Sequence, residues 1–175
     1  DCIKVIDKPY EIYFGRGLTF LSMTLIQSLI VSLGDLYILG VTATNPGVLV
    51  ALSLLVSLVF TFIVYSLVSV FGNVGKAIAV VLLVIQVAGS GGTFPIQVTP
   101  KFFQNVNPFL PFTYGIGALR EAIAGIYRPN LTKDIIALLI FLVISVILNV
   151  ILKGPINKIL YKFTDKLKQS RLSEH

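Results

Sequence analysis

The sequence predicts an all-α integral membrane protein with four transmembrane helices. The third is expected to be broken and followed by short re-entrant or interfacial helices on the outer side, with a cytoplasmic amphipathic helix as the tail. Three observations lead there. The mean hydropathy is +0.90, with 55% hydrophobic and only 13% charged residues, a balance outside that of soluble domains. Uncharged apolar runs long enough to cross a bilayer recur along the 175 residues. The Lys and Arg residues gather at the flanks of those runs and in the tail, as expected of membrane positioning rather than nucleic-acid binding, despite the net charge of +6.

Residues 1–16 carry three basic and three acidic residues and read as a cytoplasmic connecting segment, with Pro9 and Gly15 as breakers. Tyr10, Tyr13 and Phe14 suit the interface as aromatic anchors, or a docking surface for a partner. The first span is expected at 17–40, without charge until Asp35 near its far end. That carboxylate reads either as an outer headgroup-level residue or as a buried functional group. Ser28 and Ser32 share a face that permits close helix approach. Residues 42–47, TATNPG, read as a tight turn.

The second span is expected at 48–71, 24 residues without a charge. Ser53, Ser57 and Thr61 recur every fourth position and form a polar stripe, suited to helix packing or to lining a pathway. GNVGK at 72–76 reads as a short turn. It is not a phosphate loop: the GxxxxGK[ST] spacing is missing and Ala77 stands where a hydroxyl is needed.

The third span, 77–98, cannot run as a plain helix. Gly89, Gly91 and Gly92 weaken it, and Pro95 removes a donor and disfavours helix at Phe94. From Ala77 to Gly89 is about 20 Å of helix. The hydrocarbon core is about 30 Å thick, so the break falls inside the outer half of the bilayer, where irregular backbone must be covered or line a wet cavity. Residues 99–133 are too apolar for an ordinary loop, yet Pro100, Pro108 and Pro111 prevent one helix. A short helix at 112–127 is expected, with Ile116, Leu119 and Ile123 on one side and Ala118 and Ala122 as a small face. Carrying Arg120 and Glu121 mid-way, it is a poor spanning segment, and 99–133 reads as a re-entrant or interfacial pair. Asn130-Leu131-Thr132 matches a glycosylation sequon, relevant only in a secretory eukaryotic setting.

The fourth span is expected at 135–152, and 154–175 is a basic tail. There Ile156, Ile159, Leu160, Phe163 and Leu167 recur at helical spacing after Pro155, which suits a helix start. Lys158, Lys162 and Lys166 lie on the polar side and mark a membrane-surface helix.

Three blocks carry a family resemblance: Gly91-Gly92-Thr93-Phe94-Pro95, the run NPFLPFTY at 107–114, and Ala118-Leu119-Arg120-Glu121-Ala122. The chain resembles the C-terminal membrane region of the YhgE/Pip (phage infection protein) family, which is related to the membrane domains of ABC-2 type transporters. The resemblance spans roughly 17–153. It implies a longer protein with an earlier transmembrane helix, a large extracellular region and a second helix before this part. It also implies a permease-like role in export, as a dimer driven by a separate ATPase subunit. The alternative it implies is an anchor, holding an extracellular region that serves as a phage receptor or as a scaffold in a secretion apparatus. Membrane lipids are the expected immediate partners, and no cofactor or nucleic acid is expected.

For the permease-like role that the resemblance implies, Gly91, Gly92, Pro95, Arg120 and Glu121 are the candidate gate or outer vestibule. Arg120 is expected either to reach a lipid phosphate or a carbonyl in the bent 90–95 segment while Glu121 faces water, or to line a vestibule and meet an anionic headgroup. Four spans put both ends on one side, which collects three basic residues before Gly17, Lys76 and six in the tail. The other side holds Lys101, Arg120, Arg128 and Lys133, so both termini are expected to be cytoplasmic in a bacterial cell membrane. Catalysis is not expected. Cys2 and His175 stand alone, and no paired carboxylates are placed to activate a nucleophile or hold a metal.

Overall fold

The computed structural model describes residues 9–92 and 94–172, and among side chains those of 15, 17–92, 94–149 and 151. The described residues form six α-helices and two short 3-10 turns, with no strand among them. The helices are α1 (Pro9–Tyr37), α2 (Pro46–Phe71), α3 (Asn73–Gly89), α4 (Lys101–Val106), α5 (Pro111–Ala124) and α6 (Arg128–Leu172). The 3-10 turns are Ile96–Val98 and Asn107–Phe109.

Three helices among the described residues are long and apolar enough to cross a membrane: Gly17–Tyr37, Pro46–Phe71 and Arg128–Asn149, of 21, 26 and 22 residues. Their outward faces are apolar. Leu18, Met23, Ile26 and Ile30 on α1, and Ile140, Val143, Ile147 and Leu148 on α6, are exposed. In water such faces would be a large unfavourable surface, whereas hydrocarbon accepts them. The chain is therefore a multi-pass membrane protein.

α2 is the central post. It packs against α1, α3, α5 and α6, and α5 also packs on α6. The core lies where α2 meets α5, with Leu49 and Leu52 against Ala118 and Ala122. Elsewhere polar groups tie the bundle. Ser57 Oγ donates to Thr24 O at 3.1 Å and Thr61 Oγ1 to Thr24 Oγ1 at 2.8 Å, joining α2 to α1. Asn149 Nδ2 donates to Ser66 O at 3.3 Å, joining α6 to α2 in a fully buried position. In a solvent that offers no hydrogen bonds, such contacts set which helix faces meet.

Several expectations about boundaries need correction. α1 already runs from Pro9, and Gly15 lies inside it, so Gly15 is no breaker. Pro9 suits a helix's first turn, and one glycine weakens a helix by only about 1 kcal/mol. Residues 42–47 are not a tight turn: 41–45 run open until α2 starts at Pro46. The turn expected at 72–76 shrinks to Gly72 alone, at φ +58°, and α3 starts at Asn73. α3 therefore begins four residues early and ends at Gly89. Its 17 residues make about 26 Å of helix, short of the roughly 30 Å core. The expected helix start at Pro155 is absent, because α6 is one element of 45 residues. A proline removes its own donor and crowds the preceding turn, which bends a helix without ending it when helical pattern resumes on both sides. Residues 1–8, in the expected connecting segment, lie outside the described residues, as do the side chains of Tyr10, Tyr13 and Phe14.

Candidate functional site

The site is built around α5 and the turns that lead into it. α3 stops because Ser90 caps it, its N–H donating to Gln86 O at 3.0 Å, and Gly91 then takes φ +73°. That conformation costs an L-residue roughly 1–2 kcal/mol, so a glycine there lets the chain leave the helix. The freed carbonyl of Gly89 is not left bare. Asn107 Nδ2 donates to it at 2.7 Å and also lies 3.1 Å from Thr113 Oγ1, which in turn donates to Asn107 O at 2.9 Å. Tyr114 OH donates to Pro108 O at 2.8 Å. The run NPFLPFTY thus braces its own double bend and fastens α5 to the end of α3.

α5 starts at Pro111, where the missing N–H is no loss. The face it buries is the small one: Pro111, Gly115, Ala118 and Ala122, with both alanines 0% exposed. Its last carbonyls have no donors of their own in the helix. The connector between α1 and α2 supplies them. Thr44 donates through its N–H (3.2 Å) and Oγ1 (3.1 Å) to Ile123 O, and Asn45 N–H reaches Ala122 O at 3.4 Å. This is why 41–45 stays open instead of turning tightly.

On one side of α5, Phe112 and Leu119 face a cleft of about 1180 Å³. Thr24, Gln27 and Ser28 of α1, the Ser53–Ser57–Thr61 stripe of α2, and Lys76 and Leu83 of α3 also line it, among apolar and aromatic side chains that include Phe20, Val56, Phe60, Val64 and Tyr65. The stripe both packs against α1 and lines this cleft. On the other side, Thr113, Ile116, Gly117, Arg120 and Glu121 face a second cavity of about 610 Å³. Gly91, Gly92 and Pro95 line it too, so the five candidate vestibule residues converge on one cavity. α5 is the wall between the two spaces.

Arg120 Nη2 donates to Gly91 O at 2.8 Å, fastening α5 to the bent segment. Glu121 does not simply face water. Its Oε2 accepts from Tyr127 N–H at 2.7 Å and its Oε1 from Asn130 Nδ2 at 3.4 Å, at the start of α6. The positive end of that helix favours a carboxylate there. Lys133 and Asp134 also line the cavity and were not among the candidates. The signal was present: Asn130, Lys133 and Asp134 stand at i, i+3 and i+4, one face of a helix. Reading a span from 135 onward hid it, since α6 starts at Arg128. Lys158, Lys162 and Lys166 fall on the backbone of α6, far along the chain from both cavities, and their side chains lie outside those described.

Residues 5–151 match the family described as "ABC-2 family transporter protein". The chain belongs to the ABC-2 transporter family. It is also 35% identical over 115 residues to the uncharacterized protein YhgE of Bacillus subtilis (strain 168). That alignment covers 66% of this chain and 15% of YhgE, so the chain spans a small part of its relative's length. No solved structure matches it. It is thus a YhgE-like, permease-like ABC-2 membrane region. The blocks GGTFP, NPFLPFTY and ALREA now have a common location, since they end α3, brace the turns and form the wall helix.

Proposed function

We propose that this ABC-2 region forms an export path across the bacterial cytoplasmic membrane and that α5 is its outer gate. The observation that carries the reading is the position of α5. A 14-residue helix, too short to span, separates a mainly apolar cleft that carries a stripe of hydroxyls, among the spanning helices, from a charged cavity beside the α3 break. On this reading α3 makes the fourth crossing, and the turns after Gly89 complete it within the outer leaflet. Residues 99–124 are then re-entrant, and both ends of the chain are cytoplasmic, with Lys76 and the basic tail on the inner side. Lys158, Lys162 and Lys166 hold the tail to anionic lipid. Two copies and a separate ATPase subunit would form the working transporter, since the chain carries no Walker-type loop.

Single cysteines at Ser28, Ser57 and Ile140 test this, in full-length protein with Cys2 replaced. If the cleft is a wet path, the first two react with a water-borne thiol reagent and the lipid-facing Ile140 position does not. An anchor that only holds a phage-binding or secretion-scaffold region has no need of a wet cleft. Three unreactive positions would therefore overturn the export reading. A cysteine at Lys168 that reacts with an impermeant reagent in intact cells would overturn the orientation.

A further inference from the structure

The cavity beside α5 holds charges of both signs. Arg120 and Lys133 bring two cations, and Glu121 and Asp134 two carboxylates. They are not equally occupied. Glu121 is taken up by Tyr127 and Asn130, and Arg120 spends one nitrogen on Gly91 O. Among the described residues, the side chains of Lys133 and Asp134 make neither a hydrogen bond nor an ion pair. They are neighbours on α6, and the Lys133 ammonium acts on the Asp134 carboxylate through space without an ion-pair contact between them. Gly117 makes room for Asp134: a Cβ at 117 would collide with its carboxylate. The carboxylate is thereby held against the wall helix, inside the cavity and not out in lipid.

A plain anion would meet Arg120 and Lys133 but be repelled by Asp134. A plain cation would meet the reverse. A ligand with a separated negative and positive charge satisfies both, and charge-assisted hydrogen bonds are the strong ones. The cavity's 610 Å³ falls within the roughly 300–1,000 Å³ of small-molecule sites. We propose that this cavity binds a phosphate ester bearing a primary ammonium, of the phosphoethanolamine type. Arg120 and Lys133 hold the phosphate, the former through the guanidinium nitrogens that do not face Gly91, and Asp134 takes the ammonium. The proposal rests on the export reading for its place in the outer leaflet, and it names the substrate headgroup.

The test uses full-length protein in dodecyl maltoside and acyl-labelled fluorescent lipids: phosphatidylethanolamine, its N-acetylated form and phosphatidylglycerol. Binding of the free amine is expected to be at least tenfold tighter than of the other two. Asp134→Asn, which keeps shape and loses charge, should abolish that preference. Lys133→Gln should weaken all three. Equal binding of amine and acetylated lipid by the unaltered protein would overturn the proposal, and this comparison needs no variant to fold. A preference retained in Asp134→Asn would overturn it as well. Competition by soluble O-phosphoethanolamine would show that the free ester suffices. No competition, with the preference intact, would assign the site to a membrane lipid, and either result upholds the chemistry. Amine-selective binding together with unreactive cleft cysteines would leave this inference standing while export fails.

Discussion

Replacing Gly75 by Ala should destabilise the protein, although the same change in an ordinary helix stabilises it. Gly75 is buried in the first turn of α3. A Cβ there would fall on the carbonyl oxygen of Leu67, with the Leu67 carbonyl carbon at 2.8 Å and Val68 Cα at 3.0 Å. Both sides of this contact are backbone, joined through the single hinge residue Gly72, so no flexible side chain can yield. Alanine gains about 1 kcal/mol of helix propensity over glycine. Overpacking costs about 1–3 kcal/mol, and rigid neighbours place this site at the upper end. The net expectation is a loss of about 1–2 kcal/mol, read against about 1.4 kcal/mol per tenfold change in the folded-to-unfolded ratio. Gly47→Ala is the control, since nothing lies within 4 Å of a Cβ there. It should be neutral or stabilising by up to about 1 kcal/mol. Equilibrium unfolding in mixed dodecyl sulfate and dodecyl maltoside micelles, followed by helical ellipticity, measures both. A Gly75→Ala midpoint at or above that of the unaltered protein would refute the close approach of α2 and α3.

Gly91→Ala should cost about 1–2 kcal/mol through its positive φ and speed proteolysis near 90–95 in detergent, whereas unchanged digestion would argue against a fixed break. Asn107→Ala leaves Gly89 O without its donor and should lower stability by about 1–3 kcal/mol in the same micelle titration, while Asn107→Asp, with no amide to donate, should not rescue it. Changing Lys158, Lys162 and Lys166 to Gln should weaken binding of a 156–172 peptide to anionic vesicles by roughly 1 kcal/mol per charge. Equal binding of the unaltered peptide to neutral vesicles would count against an electrostatic tail.

The three long apolar helices were legible in the sequence because hydrocarbon imposes a one-dimensional rule: enough uncharged residues in a row, in helix. The break after Gly89 was legible too, since glycine and proline act on the backbone locally whatever packs around them. The polar stripe of α2 could be seen at its spacing, and its contact with Thr24 follows the packing use expected of it. What the chain does between the spans was not legible. Residues 41–45 stay open because α5, some 80 residues later, offers unpaired carbonyls. Gly72 alone turns the chain because Gly75 lets two helices touch. Arg120 and Glu121 were visible as charges in an apolar stretch, but nothing local told which was already engaged. Lys133 closes the region expected to be re-entrant and Asp134 precedes the expected fourth span, and only the start of α6 at Arg128 brings both opposite α5. Hydrophobicity and backbone propensity are properties of neighbours in sequence, so the sequence determines the helices and their breaks. A cavity is a property of neighbours in space, and only the packing of α5 between α2, α3 and α6 decided which charges share one.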